Sequence, residues 1–443
     1  MPAPVPLSRR DLLRVGGLSL ASATLLSACG GGNSGSSPQS EATGAFTRPP
    51  ANATGSITIS NWGDPNDKAV YAAVKERFAV KYPNVKVTDN FTPITVWSEY
   101  INKLLSQSAA GDVPDVINIA LEGLRLGVDK RIFSPLDGYI SRDPAGRTLT
   151  TDVAPALLES LAVEGKQYLL PSNWNTMLMY YNTKMFTAAG IDRPSEDWTW
   201  DDFVNIATKL TTGSGGSKVF GFVMPYFNFG LTPWWYSNGT SELNADWTAS
   251  NLTDPKMVES ATFVRDLVTK HAVAPQPKGA DPYQLFPAGK AAMTGAGHWV
   301  TGAFKQAGFE DYDVLPWPKK TTKATVFGTA GYGIHPGSKN ADLAWEYIKE
   351  LAGAETQAAW VKNGAATPAS LKAAQSSEFL AAPRSANLYY GAISYAKPVA
   401  APTVFNVLEP SVMRAMDSIL SGTDPAQALA KADKEVKDAF DQA

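Results

Sequence analysis

Tryptophan side chains next to predicted turns are the residues of this chain whose chemistry is easiest to anticipate. The chain has 12 tryptophans, and those that stand beside turn or loop residues are Trp62, Trp174, Trp234, Trp235 and Trp299. A tryptophan ring packs well against the C–H face of a sugar, while nearby carboxylates and amides bond the sugar hydroxyls. The alternative for each ring is packing within its own core. We expect at least two of this set to contact a sugar.

Sequence motifs that would indicate an enzyme are missing. The chain has neither a G-x-S-x-G nucleophile elbow nor a G-x-x-x-x-G-K-[ST] phosphate loop. Its three histidines, His271, His298 and His335, are not at helical spacing, so we expect no metal site and no cofactor. A glycosidase needs only two carboxylates placed by the fold, and 42 acidic residues can supply them. An exported glycoside-active enzyme therefore stays open as an alternative.

The single cysteine, Cys29, ends a segment typical of an export signal. Arg9 and Arg10 precede roughly a dozen small and apolar residues, fewer than the ~20 needed to span a bilayer. The paired arginine resembles a twin-arginine signal, and the ending resembles a lipobox, in which the cysteine becomes the lipid-bearing first residue. We expect residues 1–28 to be removed and Cys29 to carry lipid.

The composition is that of a globular protein with a large core. Hydrophobic residues make up 44% of the chain and aromatic residues 10%. The formal net charge of −3 offers no basic surface for nucleic acid. With Cys29 acylated, no thiol remains for a disulfide or a thiolate metal site. Residues 29–54 are rich in Gly, Ser and Asn, which predicts a flexible tether.

Strands and helices alternate along the rest of the sequence, and these elements must position the tryptophans. The first predicted elements are a strand at 57–62, a helix at 68–82 that Pro83 ends, a strand at 85–87, a helix at 97–110 and a strand at 115–120. That order is typical of a parallel sheet covered on both faces. Further on we predict strands at 177–181 and 219–223 and helices at 200–210, 254–271, 340–352, 354–363, 409–421 and 424–442. The alternation favours an α/β protein of two lobes.

Motifs spread over residues 55–443 resemble, in order, those of the extracellular solute-binding proteins of ABC importers, the group similar to maltose-binding protein. The first is the GDVPDV run at 111–116. The others are GKQYLLP at 165–171, YYNTKMF at 180–186, the T-W-x-x-F pattern within 198–203, FPAGKAAM at 286–293 with GHW at 297–299, AWEYI at 344–348 and TPA at 367–369. Each motif is weak by itself, and their ordered series is specific.

The resemblance implies a two-lobed periplasmic-binding-protein-like fold of class II, with a ligand cleft between lobes joined by three hinge crossings. We place the crossings near Pro171, Pro316 and Pro368. This predicts an N-lobe of residues 55–170 plus 317–367 and a C-lobe of residues 171–315 plus 368–443.

The resemblance also assigns candidate ligand-binding residues. Glu122 follows a strand where the family often has a sugar-bonding acid, Tyr226 matches an aromatic contact and Trp299 matches the stacking tryptophan. No residue near Phe405 matches the family's late stacking aromatic. The remaining assigned positions are Trp62 and Asp64 after the first strand, Asn173, Trp174 and Asn175 past the first crossing, and Gly331 with Tyr332. Tyr332 has an equal alternative as a strand residue that packs its own lobe.

The function implied is capture of a sugar or oligosaccharide and its delivery to the transmembrane permease of an ABC importer. The protein is expected to be a monomer, exported and lipid-anchored to the cell membrane through Cys29. Another solute, such as a glycerol phosphate, a peptide or a metal, is an alternative. The pairs Tyr180–Tyr181 and Tyr389–Tyr390 could serve metal or anion capture, but alternation along a strand places only one member of a pair on each face.

Overall fold

The structure, a computed structural model, describes residues 46–63, 65–93 and 96–443. The predictions for Arg9, Arg10, Cys29 and Asp64 lie outside these residues. Within this part of the chain the strands are Gly55–Gly63 (β1), Val85–Pro93 (β2), Val116–Ala120 (β3), Ala162–Val163 (β4), Lys166–Gln167 (β5), Leu170–Thr176 (β6), Leu178–Asn182 (β7), Met293–Ala296 (β8), Tyr312–Leu315 (β9), Thr325–Ile334 (β10), Thr367–Pro368 (β11) and Ala396–Pro398 (β12).

The long helices follow the predictions closely because local capping signals set their ends. Gly111 ends one helix in the left-handed conformation, with φ of 73°. Thr199 and Asp202 form a capping box at the start of another. The α-helices of the described residues are Pro65–Lys81 (α1), Trp97–Ala110 (α2), Leu124–Asp129 (α3), Asp137–Arg142 (α4), Pro144–Thr151 (α5), Pro155–Ser160 (α6), Thr183–Ala188 (α7), Trp200–Leu210 (α8), Asn228–Ser237 (α9), Pro255–Thr269 (α10), Pro282–Leu285 (α11), Thr301–Gln306 (α12), Ala341–Ala352 (α13), Ala354–Asn363 (α14), Leu371–Ala374 (α15), Ser377–Leu380 (α16), Asn387–Gly391 (α17), Phe405–Leu420 (α18) and Pro425–Phe440 (α19).

The larger sheet has the strand order β11-β6-β10-β3-β1-β2, and β12 also pairs with β10. As predicted, β1 is parallel to both β2 and β3. The long strand β10 then runs antiparallel to β3 and to β6, so the complete sheet is mixed. All five residues of β3 are buried, as expected for a strand covered on both faces. We call this the first sheet.

A second sheet has the strand order β8-β7-β9, all antiparallel. The strand predicted at 219–223 is wrong, because this segment makes only single bridges, including Phe220 to Ala291 and Val223 to Thr294. Gly221 explains the interruption: a Cβ atom there would lie 2.0 Å from the carbonyl oxygen of Ala207 in α8. The segment therefore lies against a helix rather than extending the ladder.

The chain passes between the two sheets at several places. Only Met177 separates β6 of the first sheet from β7 of the second, and β9 of the second sheet leads back to β10 of the first. Near the end of the chain, α18 packs against α2, which follows the first sheet's β2, and also against α9 and α10. Elements from distant parts of the sequence therefore meet beside the junction of the two sheets.

The segment before β1 packs against the surface of the body. The ring of Phe46 meets that of Tyr139 edge-on at 5.8 Å between centroids, and the Arg48 guanidinium lies 3.4 Å from a carboxylate oxygen of Glu346. These residues belong to the predicted tether. Across the described ranges, every helix is too short or too polar to cross a bilayer.

Candidate ligand-binding cleft

Gly328 in β10 is the point where a ring and a carboxyl from distant parts of the chain meet. It pairs with Asn175 of β6. A Cβ atom at Gly328 would lie 3.0 Å from Cε2 of Phe229 and 3.7 Å from Oε1 of Glu122. The missing side chain therefore lets the ring and the carboxyl approach the strand backbone closely.

Asn175 also positions the turn that carries Trp299. Its Oδ1 accepts the backbone N–H of His298 at 3.0 Å. A Cβ atom at Gly297 would lie 2.1 Å from Cζ3 of Trp299, so the indole folds back over this glycine. The Trp299 ring is partly exposed, and its centroid lies 6.3 Å from that of Phe229. The residues that meet here, called the Gly328 cluster below, are Glu122, Asn175, Phe229, Trp299 and Gly328.

Glu122 brings a buried carboxyl to the Gly328 cluster. It lies in the 3-10 turn Leu121–Gly123, which directly follows β3, and is 3% exposed. Its Oε2 has no hydrogen-bond partner among the described residues. Burial raises the pKa of this carboxyl from 4.5 to about 8, and the carboxyl of Glu409 acts in the same direction. An unpartnered buried oxygen of this kind is available to a ligand.

Glu409 reaches the same region from α18. Its Oε2 accepts the backbone N–H of Ser98 at 2.8 Å. Ser98 lies in the first turn of α2, whose N-cap residue Val96 supplies no side-chain hydrogen bond. A carboxylate at a helix N-terminus is stabilised by the free N–H groups and by the helix dipole. Glu409 therefore caps α2, although burial raises the pKa of its carboxyl.

An aromatic pair lies next to the Glu409–Ser98 contact. Trp62, near the end of β1, meets Trp97, the first residue of α2, edge to face with ring centroids 4.5 Å apart. Both residues are partly exposed. The indole N–H of Trp62 is buried and has no partner among the residues that the structure describes. The pair therefore offers an apolar surface together with a free donor.

The segment at the start of α9 completes this side of the cleft. The hydroxyl of Tyr226 donates to Oδ1 of Asp417 in α18 at 2.7 Å, which ties the segment to that helix. The ring of Phe227 lies 6.4 Å from that of Trp299. Asn228 is 4% exposed, and its Nδ2 has no partner within the described part of the chain. The segment adds a free amide donor beside the Gly328 cluster.

Three of the predicted tryptophans are fully buried in hydrophobic cores. Trp174 packs edge-on against Phe327, with 6.4 Å between ring centroids. Trp234 packs 4.8 Å from the ring of Trp317, and Trp235 lies in the same core. The rings of Trp174, Trp234 and Trp235 are therefore enclosed by protein, whereas those of Trp62 and Trp299 retain exposed surface.

Asn173, Gly331 and Tyr332 lie inside the first sheet. Asn173 is 4% exposed and pairs with β10 and β11. A Cβ atom at Gly331 would lie 2.7 Å from the carbonyl oxygen of Leu170. The Tyr332 hydroxyl accepts a hydrogen bond from Nδ2 of Asn118 at 3.4 Å, in the core beneath the sheet. These three residues support the first sheet rather than the partly exposed surface around Trp299.

Sequence reasoning missed several residues of the cleft, namely Trp97, Ser98, Phe227, Phe229 and Glu409. Glu409 carried a usable signal. It occupies the buried face of α18 together with Leu408 and Val412, and a carboxyl on the apolar face of a helix requires a partner. No sequence signal distinguished Phe227 and Phe229, because aromatic residues in a loop are equally compatible with packing in a core.

The tyrosine pairs considered for metal or anion capture are divided between cores. The hydroxyl groups of Tyr180 and Tyr389 bond each other, whereas Tyr181 and Tyr390 pack in two other clusters. Within residues 46–63, 65–93 and 96–443, no three His, Cys, Asp or Glu side chains are grouped so that they could hold a metal ion.

Comparison with known proteins identifies relatives over most of the chain. The sequence model of the family described as bacterial extracellular solute-binding protein matches residues 62–358. A binding protein of Brucella abortus (strain 2308) is 27% identical over 305 residues, covering 66% of this chain and 71% of that protein. A maltotriose-binding protein of Pyrococcus abyssi is 22% identical over 302 residues, covering 67% of this chain and 62% of that protein.

Among solved structures, an ABC substrate-binding protein of Listeria monocytogenes in complex with cycloalternan has the same fold. It is 25% identical to this chain with a TM-score of 0.78, covering 88% of this chain and 99% of that one. The prediction of a two-lobed α/β fold is confirmed by this similarity.

Proposed function

We propose, from the premise that this chain belongs to the bacterial extracellular solute-binding protein family, that it captures a sugar or oligosaccharide and delivers it to an ABC importer. The relatives include a maltotriose-binding protein, and the similar structures include an ABC substrate-binding protein. Both similarities point to the same role.

The observation that carries the proposal is the composition of the Gly328 cluster. Trp299 presents a partly exposed indole, and Glu122 and Asn175 place oxygen atoms beside it. A stacking ring next to hydrogen-bonding oxygens is the pattern that recognises a sugar, since the ring takes the C–H face and the oxygens take the hydroxyls. Trp62, with its free indole N–H, supplies a second such ring.

Capture requires the two lobes to move relative to each other. We assign residues 55–170 plus 317–367 to the N-lobe and residues 171–315 plus 368–443 to the C-lobe. A ligand that contacts both lobes binds the closed arrangement more tightly and therefore shifts the population towards it. The permease would then recognise the closed, loaded form.

Export and anchoring complete the proposed role. We assign residues 1–28 to a signal peptide that carries Arg9 and Arg10, and we assign the lipid to Cys29. A lipid at that position would hold the monomeric carrier close to the permease and raise its local concentration there. The protein itself performs no chemistry on the sugar in this proposal, and an exported glycoside-active enzyme is the competing function.

A thermal-shift screen of residues 30–443 against mono- and oligosaccharides tests the proposal. The expected result is a concentration-dependent rise in Tm with at least one sugar. That sugar should be recovered chemically unchanged after incubation. Chromatographic detection of hydrolysed product would favour the enzyme instead. If no sugar raises Tm while glycerol phosphates, peptides or metal ions do, the proposal of a sugar carrier is wrong.

A further inference from the structure

Two buried carboxyls enter the cleft without a basic partner. Glu122 comes from the turn after β3 and Glu409 from α18, and they are 3% and 7% exposed. Among the described residues neither carboxyl takes part in an ion pair. The charged group that most affects the pKa of each carboxyl is another carboxyl, that of Glu409 for Glu122 and that of Glu99 for Glu409. Buried acids in proteins are normally paired with a cation or fully hydrogen-bonded.

The basic residue closest to Glu122 in sequence is engaged elsewhere. Arg125 follows Glu122 by three residues, but its Nη1 donates to the carbonyl oxygen of Asp246 at 3.0 Å. Its guanidinium also lies over the ring of Trp247, 4.6 Å from the ring centroid. Arg125 is therefore occupied by partners other than the two carboxyls.

We propose that the ligand of this cleft is an amino sugar, whose protonated amine binds the carboxyl group of Glu122. The inference rests on the proposed function, because it specifies the class of sugar that the same site takes. An ammonium group donates three hydrogen bonds, and the cleft offers it an acceptor in the unpartnered Oε2 of Glu122.

The side chains around the carboxyls favour a sugar that carries a cation over an uncharged sugar. The partly exposed indoles of Trp62 and Trp299 present π faces, which attract a cation as well as packing against a sugar. Charge-assisted hydrogen bonds are roughly twice as strong as neutral ones. A hydroxyl would bond the carboxyl of Glu122 without compensating a negative charge, whereas an ammonium group neutralises the ionised carboxylate.

Proton balance gives the proposal a distinct signature. In the empty cleft at neutral pH, Glu122 holds a proton, because burial raises the pKa of its carboxyl to about 8. When an ammonium group binds, the carboxyl ionises and its proton passes to the buffer, while the nitrogen keeps its own three protons. Binding of a neutral sugar leaves the proton of Glu122 in place.

The test compares sugars that differ only at one substituent. Isothermal titration of residues 30–443 would use glucosamine, N-acetylglucosamine and glucose, and the β-1,4-linked dimers of the same three sugars, in two buffers of different ionisation enthalpy. We expect the amine-bearing member of each set to bind at least about tenfold more tightly than its neutral counterparts. We also expect its binding to release protons.

Variants distinguish the effect of the carboxyl charge on binding from the effect of the rest of the cleft. E122Q should reduce the affinity for the amino sugar to that of its neutral counterpart. The matched control is E76Q, an exposed acid on α1, which should leave both affinities unchanged. Thermal unfolding of each variant verifies that it is folded.

The outcomes distinguish this inference from the proposed function. If neutral sugars bind as tightly as amino sugars, or more tightly, the amino-sugar inference is overturned while the sugar carrier stands. Equal losses of neutral and amino sugar affinity in E122Q would also overturn it, since the carboxyl would then bind hydroxyl groups. If neither these sugars nor the wider screen produces binding, both proposals fail.

Discussion

The side-chain oxygen of Asn175 accepts the backbone N–H of His298 at 3.0 Å, and this bond links the first sheet to the turn that carries Trp299. Asn175 stands opposite Gly328 in the sheet, so the same residue touches both the strand behind the cleft and the loop in front of it. The position of the Trp299 ring relative to Glu122 therefore depends on a residue that has no aromatic or charged group.

Replacement of Asn175 by alanine should weaken ligand binding more than it weakens the fold. Loss of this hydrogen bond leaves the His298 N–H unpaired and frees the turn, which we expect to cost about 1–3 kcal/mol of binding free energy. Calorimetric titration with the sugar found by screening measures this loss. N205A, at an exposed asparagine on α8, serves as the control. Affinity equal to wild type in N175A would show that the bond does not position Trp299.

Two tryptophans with opposite surroundings should respond in opposite ways. W299A is expected to lower sugar affinity by ~1–3 kcal/mol with little change in the free energy of unfolding, because its ring is partly exposed in the cleft. W234A should instead destabilise the fold by ~3–5 kcal/mol, because its ring is fully buried. Denaturant unfolding and titration of both variants measure the two effects. Unchanged affinity in W299A would remove this residue from the site.

The stability of the empty protein should depend on pH through Glu122. Its carboxyl has a pKa of 4.5 when exposed and about 8 in the folded protein. Below pH 4.5 the proton is bound in both the folded and unfolded states, so burial of the carboxyl carries no ionisation penalty. As the pH rises from 4.5 to about 8, only the unfolded state releases the proton, and the stability of the folded state falls.

E122Q should remove this part of the pH dependence. We expect the Tm of the variant relative to wild type to increase as the pH rises through this window and to level off above it. Scanning calorimetry of the ligand-free proteins at several pH values makes the comparison. A difference in Tm that is constant with pH would mean that Glu122 is not protonated in the empty cleft.

A close backbone contact should make Gly302 sensitive to substitution. Its N–H donates to the carbonyl oxygen of Gly364 at 3.2 Å, and a Cβ atom would lie 2.3 Å from the carbonyl oxygen of Asn363. G302A must therefore push α12 away from the end of α14, at a cost of about 1–3 kcal/mol in stability. G391A is the matched control, because nothing lies within 4 Å of a Cβ atom there. Chemical denaturation should show a loss in G302A alone.

The proposed lipid on Cys29 is open to a direct test in cells. C29S should abolish incorporation of a labelled fatty acid into the protein, because no other cysteine is present to accept it. Loss of the label together with release of the protein from the membrane fraction is the expected result. Label that persists in C29S would exclude lipid attachment at this cysteine.

Much of the local structure follows from neighbouring residues and was therefore predictable. The helix predicted at 97–110 is present with those bounds, because Gly111 ends it in a conformation that other residues avoid. The capping box at Thr199 likewise sets the start of α8. The strand predicted at 219–223 is not formed, because its hydrogen bonding depends on how close α8 lies, which no local pattern encodes.

The sequence by itself determined the family, the alternation of strands and helices, and the presence of tryptophans suited to sugar contact, since these depend on residue type and order. Tertiary structure decided which tryptophans are partly exposed and which are sealed in a core. It also brought Glu409 to α2 and Glu122 to Gly328. Burial and loss of solvent are properties of positions in space. Residues separated by several hundred positions acquire them only when the chain has folded.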